Sequence, residues 1–483
     1  MDPFEESPWN MKLFKYNAAK EFVKYRFLKP SKQLRSERDT VIRQKIWDAE
    51  RQEHHSERYF RVVDIQGEWL GQWKYQFNQL GIQYLRSAVN AHVDPVSFET
   101  MRMDVPRKSK NCTQPPTREL LDIPRSDVYH GPFIAPSSHQ FVEFCEKIIH
   151  RYNLHSTVEQ AAAISITPEE NRCDGRVYQV LMNTGEIIRA QHIVLALGPQ
   201  RLPKWPDALL EFSESLDHYP LMHSLDILSP SCPREKWMEQ LSIMTRNINA
   251  RVLVIGGGLT SAHIILMLHK HFLNHGRADE VELTLVSRRK LLVQPFDLEL
   301  SWMGHLRESK LARFWSEPDF ETRVKTLNQA KNGGASISPE VYEQLLELRN
   351  NSANNFQLME RLEVSYAEYD ERCQQWRVEF EDTHNLSRES TYHNYDCIIC
   401  ATGTTTSLKN ESLLSHFLSD MEFASTNQAK LTPELRIAKD QNIFVLGDAA
   451  ALQLGPGAVN LMGARAGAAR VARAIRKSLK LHE

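Results

Sequence analysis

The stretch VLVIGGGLTSAH, residues 252–263, sets three consecutive glycines between an apolar strand-like run and an apolar helix-like run. Gly256 at the strand end permits a tight turn, Gly257 continues it, and Gly258 lets an anionic ligand approach the backbone. Thr260 falls in the first turn of the helix that follows. Ser261 takes the third small position of a G-x-G-x-x-[G/S] pattern, where a short side chain keeps helix and strand close. A helix starting there presents free N–H groups and the positive end of its dipole, which suits a pyrophosphate. The next strand-like run, VELTLVS, ends on Ser287, Arg288, Arg289 and Lys290. Sites for NADH usually place a carboxylate at that strand end to bond the ribose hydroxyls. Three cations and no acid fit the 2′-phosphate of NADPH instead; a solvated basic turn is the competing reading.

Two other apolar runs end in a small residue and glycine. IVLALGPQRLP closes on Gly198 and CIICATGTTTS on Gly403, one before the triplet and one after it. Such a pair brackets an inserted unit whose chain leaves one sheet and returns to it, the glycines letting backbone pass close to a bound group. Further on, IFVLGDAAALQLGPGAV ends a strand at Gly447 and Asp448, a carboxylate suited to a ribitol hydroxyl of a flavin. Gly455, Pro456 and Gly457 then open a helix at about Ala458. Its dipole would face the pyrimidine edge of an isoalloxazine, where negative charge gathers on reduction. A tightly packed Ala-rich helix is the alternative.

The elements that must hold these residues can be read from patterning. From residue 251 the order is strand, glycine turn, helix, strand, a βαβ unit of the parallel kind. APSSHQFVEFCEKIIHRYNL reads as a helix capped by Ser138, with Phe141, Phe144, Ile148 and Ile149 on one face. RVYQVLMNTGEIIRAQHIVLALG reads as a hairpin turning at NTGE, then a buried strand over residues 193–197. LEVSYAEYDERCQQWRVEFED reads as a second hairpin, and SPEVYEQLLELRN as a surface helix. Cys397 and Cys400 in DCIICATG have the spacing of a redox pair, but residues three apart on a strand face opposite ways and stand roughly 10 Å apart. A disulfide needs Cα atoms within about 7 Å, so these cysteines read as packing residues.

Bulk properties narrow the class. With 483 residues the chain has room for two or three domains, and 41% hydrophobic with 25% charged residues is ordinary for a globular protein. A net charge of −2 gives no reason to expect nucleic acid or an anionic membrane as partner. No run of about 18 apolar residues suggests a membrane span and no secretory leader is recognisable, so the expected location is cytoplasmic. No cluster reads as a metal site.

In this order, the glycine-ended strands, the triplet with its arginines, and the Gly-Asp turn with a small-residue helix resemble the NADPH-dependent flavoprotein monooxygenases. The likeness is greatest to the L-lysine/L-ornithine N-hydroxylase-like group, over roughly residues 60–475. GEWLGQWKYQFNQLGIQYLRSAVNAHVDP resembles the segment beside the flavin in that group, HGPFIAPSSHQFVEFCEKII the stretch before its flavin-side hairpin, and MHSLDI its His-Ser region. The resemblance implies two Rossmann-like, doubly wound, three-layer units, with the NADPH domain inserted into a discontinuous FAD domain. The corresponding division is a polar segment at 1–60, FAD-type domain at 61–205 and 396–483, and NADPH domain at 206–395. It implies that NADPH reduces FAD, that O₂ adds to the flavin, and that the hydroperoxyflavin passes one oxygen to an amine or similar nucleophile. His223 and Ser224 are then candidates for guiding the nicotinamide, against a plain helix cap.

One departure matters. Residues 1–66 contain no glycine, so the N-terminal G-x-G-x-x-G that would hold the FAD pyrophosphate is missing and the FAD domain is N-terminally incomplete. A truncated reading frame and a chain that has lost flavin are the two explanations. The alternative function is therefore a catalytically impaired relative that retains NADP(H) binding only; a flavin disulfide reductase is a third reading, which the strand-borne CIIC argues against. The substrate and the oligomeric state are not legible.

Overall fold

The computed structural model describes residues 60–88, 91–94, 117–119, 134–169, 176–198, 202–230, 234–303, 306–332, 334–351, 355–383, 391–405 and 407–480. The polar segment expected at 1–60 lies, except for its last residue, outside them.

The strand that leads into the glycine triplet, Ala250–Ile255, buries every residue except Arg251. A run apolar on both faces belongs in the middle of a parallel sheet, and that is where it sits. Five parallel strands lie in the order Leu221–His223, Cys397–Cys400, Ala250–Ile255, Val281–Ser287, Phe356–Glu360. From the central strand the chain winds outward to one side and comes back on the other. The switch of direction therefore falls beside the triplet, where open parallel sheets bind ligands at their carboxyl ends.

On one face, helix Leu259–Asn274 packs with Trp237, Leu241, Leu345 and Leu348 of two other helices. The other face is covered differently from the doubly wound expectation. A three-stranded antiparallel sheet, Leu362–Asp370, Gln375–Asp382 and Thr391–Tyr395, lies over it. Alternation explains the choice: Trp376, Val378 and Phe380 point inward against Leu253, Ile255 and Val286, with more exposed residues between them. The layers are helix, parallel sheet and antiparallel sheet.

A second core forms around the parallel pair Ile193–Leu195 and Ile443–Val445. It takes in Ile166 and Tyr178 of a three-stranded antiparallel sheet, Leu413 and Phe417, and Val471 of the long helix Leu461–Lys480. Val62–Asp64 pairs in parallel with Val158–Gln160. The expected buried strand at 193–197 is shorter, Ile193–Leu195, and its Val194 is 40% exposed.

Two features alter the expected division. Cys397–Cys400 hydrogen-bonds in the five-stranded sheet, so a boundary at 395/396 would cut through that sheet. Residues 298–330, expected within the NADPH domain, bury Leu298, Trp302, Leu311, Phe314, Val324, Leu327 and Ala330 in the second core. From Ile166 on, the chain thus passes between the cores four times: between Leu195 and Leu209, Leu291 and Leu298, Ala330 and Ile337, and Ala401 and Leu408.

These passages run in pairs. Leu202–Pro203 pairs antiparallel with Thr404–Thr405, reinforced by Lys204 N–H on the Gly403 carbonyl at 3.1 Å and by the Thr402 hydroxyl on the Lys204 carbonyl. In the other pair, Ile337 N–H donates to Leu292 O at 2.8 Å and Gln294 N–H to Ile337 O at 3.0 Å. Arg86 clamps that second pair: its guanidinium donates to Asp297 Oδ1 (2.5 Å), Gln294 O (2.9 Å), Pro295 O (3.2 Å) and Ser336 Oγ (2.9 Å).

Candidate functional site

The triplet forms the turn between strand Ala250–Ile255 and helix Leu259–Asn274. Gly256 has φ +153°, and its N–H donates to Val286 O at 2.9 Å, tying the turn to the next strand. A Cβ at Gly256 would run into the Ala401 carbonyl, and one at Gly257 into the Ser287 hydroxyl. At Gly258 it would stand 2.9 Å from Ala335 Cβ. The three glycines are thus dictated by three separate chain segments that crowd the turn. Ser261 is fully buried, 3.3 Å from where a Gly256 Cβ would lie, and its hydroxyl donates to Gly258 O at 2.7 Å. Nothing larger fits between helix and strand. Gly258 caps the helix, so the N–H groups of Leu259, Thr260 and Ser261 lie in its first turn, ahead of any intrahelical acceptor.

Arg288, Arg289 and Lys290 are all exposed at the carboxyl end of the neighbouring strand. Ser287 Oγ donates to Arg289 O at 2.7 Å and fixes the turn. Arg288 reaches Glu363 at 3.4 Å. The Arg289 guanidinium lies over Gly334, where a side chain would collide with it. An acid is close: Glu360 Oε1 accepts the Leu291 N–H at 2.7 Å, which leaves it engaged with backbone.

The flavin-side candidates fall at the ends of the other parallel pair. Leu195 stands opposite Val445, so Gly198 and Gly447 follow the same end of adjacent strands. Gly198, Gly403 and Gly447 have φ of +71°, +85° and +82°, and a Cβ at any of them would meet nothing within 4 Å. Conformation demands these glycines, and open space lies beside each. Asp448 is three-quarters buried, and its Oδ1 lies 3.9 Å from Lys331 Nζ. The helix expected from Ala458 begins later. Pro456–Val459 is a 3-10 turn, and the α-helix runs Leu461–Lys480. Asn460 Oδ1 accepts the N–H groups of Met462 (3.0 Å) and Gly463 (3.4 Å), so the dipole end is partly capped by the chain itself. A Cβ at Gly463 would strike the Gly457 carbonyl, which explains the small residue there.

His223 serves as a helix cap. Its ring is fully buried, Nδ1 accepts the Leu225 N–H at 3.1 Å, and the indole of Trp205 lies 5.1 Å away. Nε2 faces the backbone of Lys204 and Gly403, under the first pair of passages, without a hydrogen bond of normal geometry. Burial holds the imidazole neutral, with a pKa of about 4. Ser224 begins the short helix Ser224–Ile227 that His223 caps. Both side chains are buried.

Cys397 and Cys400 are free and fully buried, and burial pushes the Cys397 thiol up to about 12. Neither is fit to be a redox nucleophile. Among the described residues no group of three or more His, Cys, Asp or Glu side chains could hold a metal ion, and no helix is long and apolar enough to cross a membrane. An open cleft of about 630 Å³ beside Asp207, Glu211 and Tyr366 shares no residue with the expected site.

The signals missed in the sequence are Lys331, Gly334 and Ala335. The run KNGGAS looks like a surface turn, and nothing in its composition shows that it crosses between the cores.

No curated protein matches the chain by sequence. Solved structures share its fold. The cadaverine monooxygenase of the desferrioxamine pathway from Erwinia amylovora, bound to FAD, superposes with a TM-score of 0.61 at 13% identity, covering 90% of this chain and 92% of that one. The ornithine N-hydroxylase of Kutzneria sp. 744, with reduced FAD, NADP⁺ and L-ornithine, gives 0.62 at 15% identity, covering 87% and 92%. The L-lysine 6-monooxygenase of Pseudomonas syringae gives 0.56 at 16% identity, covering 96% and 97%. The sequence profile of one family matches residues 133–406, more than half of the chain. By that match the chain belongs to the L-lysine 6-monooxygenase/L-ornithine 5-monooxygenase family.

Proposed function

We propose that this protein is an FAD-dependent, NADPH-using monooxygenase that hydroxylates a small amine with O₂. One observation carries the reading. The glycine triplet stands at the carboxyl end of a central parallel strand, at the sheet's switch point, with Arg288 and Arg289 at the next strand end. Leu259–Ser261 N–H groups would hold the pyrophosphate, and the two arginines the 2′-phosphate. On the flavin side, Gly198, Gly403 and Gly447 leave room for backbone approach, and Asp448 would accept a ribitol hydroxyl. Bound flavin supplies the two-electron chemistry that activates O₂. The protein's part is to position both nucleotides and keep water out.

The division that suits these observations is an NADPH unit inserted into a flavin unit. The first boundary is the passage at 202–206, and the second the passage at 403–405 rather than 395/396. Residues 298–330 go with the flavin unit, because their apolar side chains are buried there.

The test is direct. Purified protein should absorb as a flavoprotein when supplied with FAD and consume O₂ and NADPH with ornithine, lysine or a diamine, forming a hydroxylamine. Protein that gains thermal stability with NADPH but takes up no flavin would overturn the reading. That outcome would establish the second one, an NADP(H)-binding relative without catalysis.

A further inference from the structure

Between the candidate flavin ligands Asp448 and Gly457 lies the short helix Ala451–Leu454. The carbonyls at its end accept from side chains of three distant helices. Arg323 Nη1 donates to Leu452 O at 2.9 Å, and Arg470 Nη1 to Gln453 O at 3.1 Å. Gln453 O also accepts the indole N–H of Trp315 at 3.0 Å. Leu311 packs against the same turn, its Cδ2 2.8 Å from a Cβ position at Gly455.

A neutral donor such as Trp315 is enough to satisfy a carbonyl. The two arginines bring charge as well, and that charge has no counterpart in contact with it. Arg323 is buried, and its remaining strong bonds go to Glu317 O (2.8 Å) and Trp315 O (3.0 Å). Arg470 is half-buried, with its guanidinium 5.0 Å from the Trp315 ring. Among the described residues neither forms an ion pair; the Glu317 and Glu434 carboxylates act on them only through space. Burial pulls both below the usual arginine value, and at Arg470 the Arg323 charge adds to the effect. A guanidinium stays protonated all the same. Buried charges are ordinarily paired, so the turn between Asp448 and Gly457 is left with uncompensated positive charge packed against it.

We propose that Arg323 and Arg470 bias a flavin held by this turn toward its reduced, negatively charged state, an inference that rests on the reading above. Hydride from NADPH brings two electrons and one proton, so reduction adds one negative charge to the site. Two cations fixed by their hydrogen bonds to main chain favour that charge and need no rearrangement when it arrives. Both act through the turn they hold and are positioning residues.

The experiment measures the midpoint potential of FAD on the full chain by equilibration with a reference dye, alongside melting temperature. R470M should lower the preference for reduced over oxidised FAD about tenfold, the size of one charge acting through partly buried protein. For a two-electron couple that is a fall of about 30 mV. R470K, which keeps the charge, should keep the wild-type potential even where its melting temperature drops. R470Q, neutral but polar, should fall as R470M does and decides the matter if R470M does not fold. If the neutral variants keep the wild-type potential, or if R470K falls as far as they do, the arginines only tie down carbonyls; the inference is overturned and the enzyme reading stands. If the wild type takes up no FAD, both fall.

Discussion

Replacing Arg289 by glutamine removes a charged donor from the exposed end of strand Val281–Ser287 without touching the core. A charge-assisted hydrogen bond contributes about 1.5–3 kcal/mol. R289Q should therefore raise the Kd for NADP⁺ by about 10- to 100-fold while barely changing that for NAD⁺, read by titration of each nucleotide. Asp448→Asn keeps the shape of the flavin-side acceptor but removes its charge. FAD affinity should fall about 10-fold, by the same arithmetic, and unchanged FAD binding in D448N would remove Asp448 from the site. At this scale the sequence was informative wherever chemistry depends on residue type at short spacing. The triplet, the basic strand end and the Gly-Asp turn were all visible. His223 was visible too, as a plain helix cap with a nicotinamide-guiding role as the competing reading; in the structure its buried ring caps the helix Ser224–Ile227 beside Trp205.

Elements show where patterning stops short. Helix Ser138–Arg151 was legible from its apolar face, yet its cap is one residue earlier. Ser137 Oγ accepts the Gln140 N–H at 3.1 Å, while Ser138 Oγ donates to Ile82 O at 2.6 Å. Both serines fit the local signal, and tertiary contact chooses between them. Ser137→Ala should cost about 1 kcal/mol in urea denaturation. The tail helix was expected from Ala458 because Gly-Pro-Gly promotes a helix start, but Asn460 caps the true start at Leu461. Gly463→Ala places a methyl against the Gly457 carbonyl, which is backbone and cannot rotate away. Overpacking of this kind costs about 1–3 kcal/mol, and here it should weaken FAD binding along with stability. A G463A protein with wild-type FAD affinity would show that the Gly457–Ala458 turn does not contact the cofactor.

For the whole molecule, buried neutral histidines set the acid limit. His223 and His263 are both held at a pKa of about 4, chiefly by burial, with Arg86 adding repulsion at His263. Unfolded, each titrates near 6.5, so between pH 6.5 and 4 the unfolded chain binds more protons than the folded one. Stability then falls as pH drops through that window, by on the order of 2–3 kcal/mol for each histidine, and levels off below it. Denaturation midpoints at pH 7 and 5 should differ accordingly, and His263→Leu should flatten the slope. The parallel unit around the triplet was readable because its hydrophobic runs are local. Two things were not: the antiparallel sheet covering its second face, and the transfer of residues 298–330 to the other core. Both are settled by which apolar surfaces meet, and amphipathic helices such as Arg307–Ser316 carry no label naming their partner.

The four passages between the cores bear on how the chain acquires its structure at all. Residues as far apart as Ile166 and Val471 close one core, and that core is interrupted twice by segments that close the other. Neither can be completed from a contiguous stretch during synthesis, and loop-closure entropy must be met before the distant contacts form. The chain should therefore refold slowly, in a single cooperative step. A nick in either pair of passages should release two unfolded fragments rather than two surviving domains.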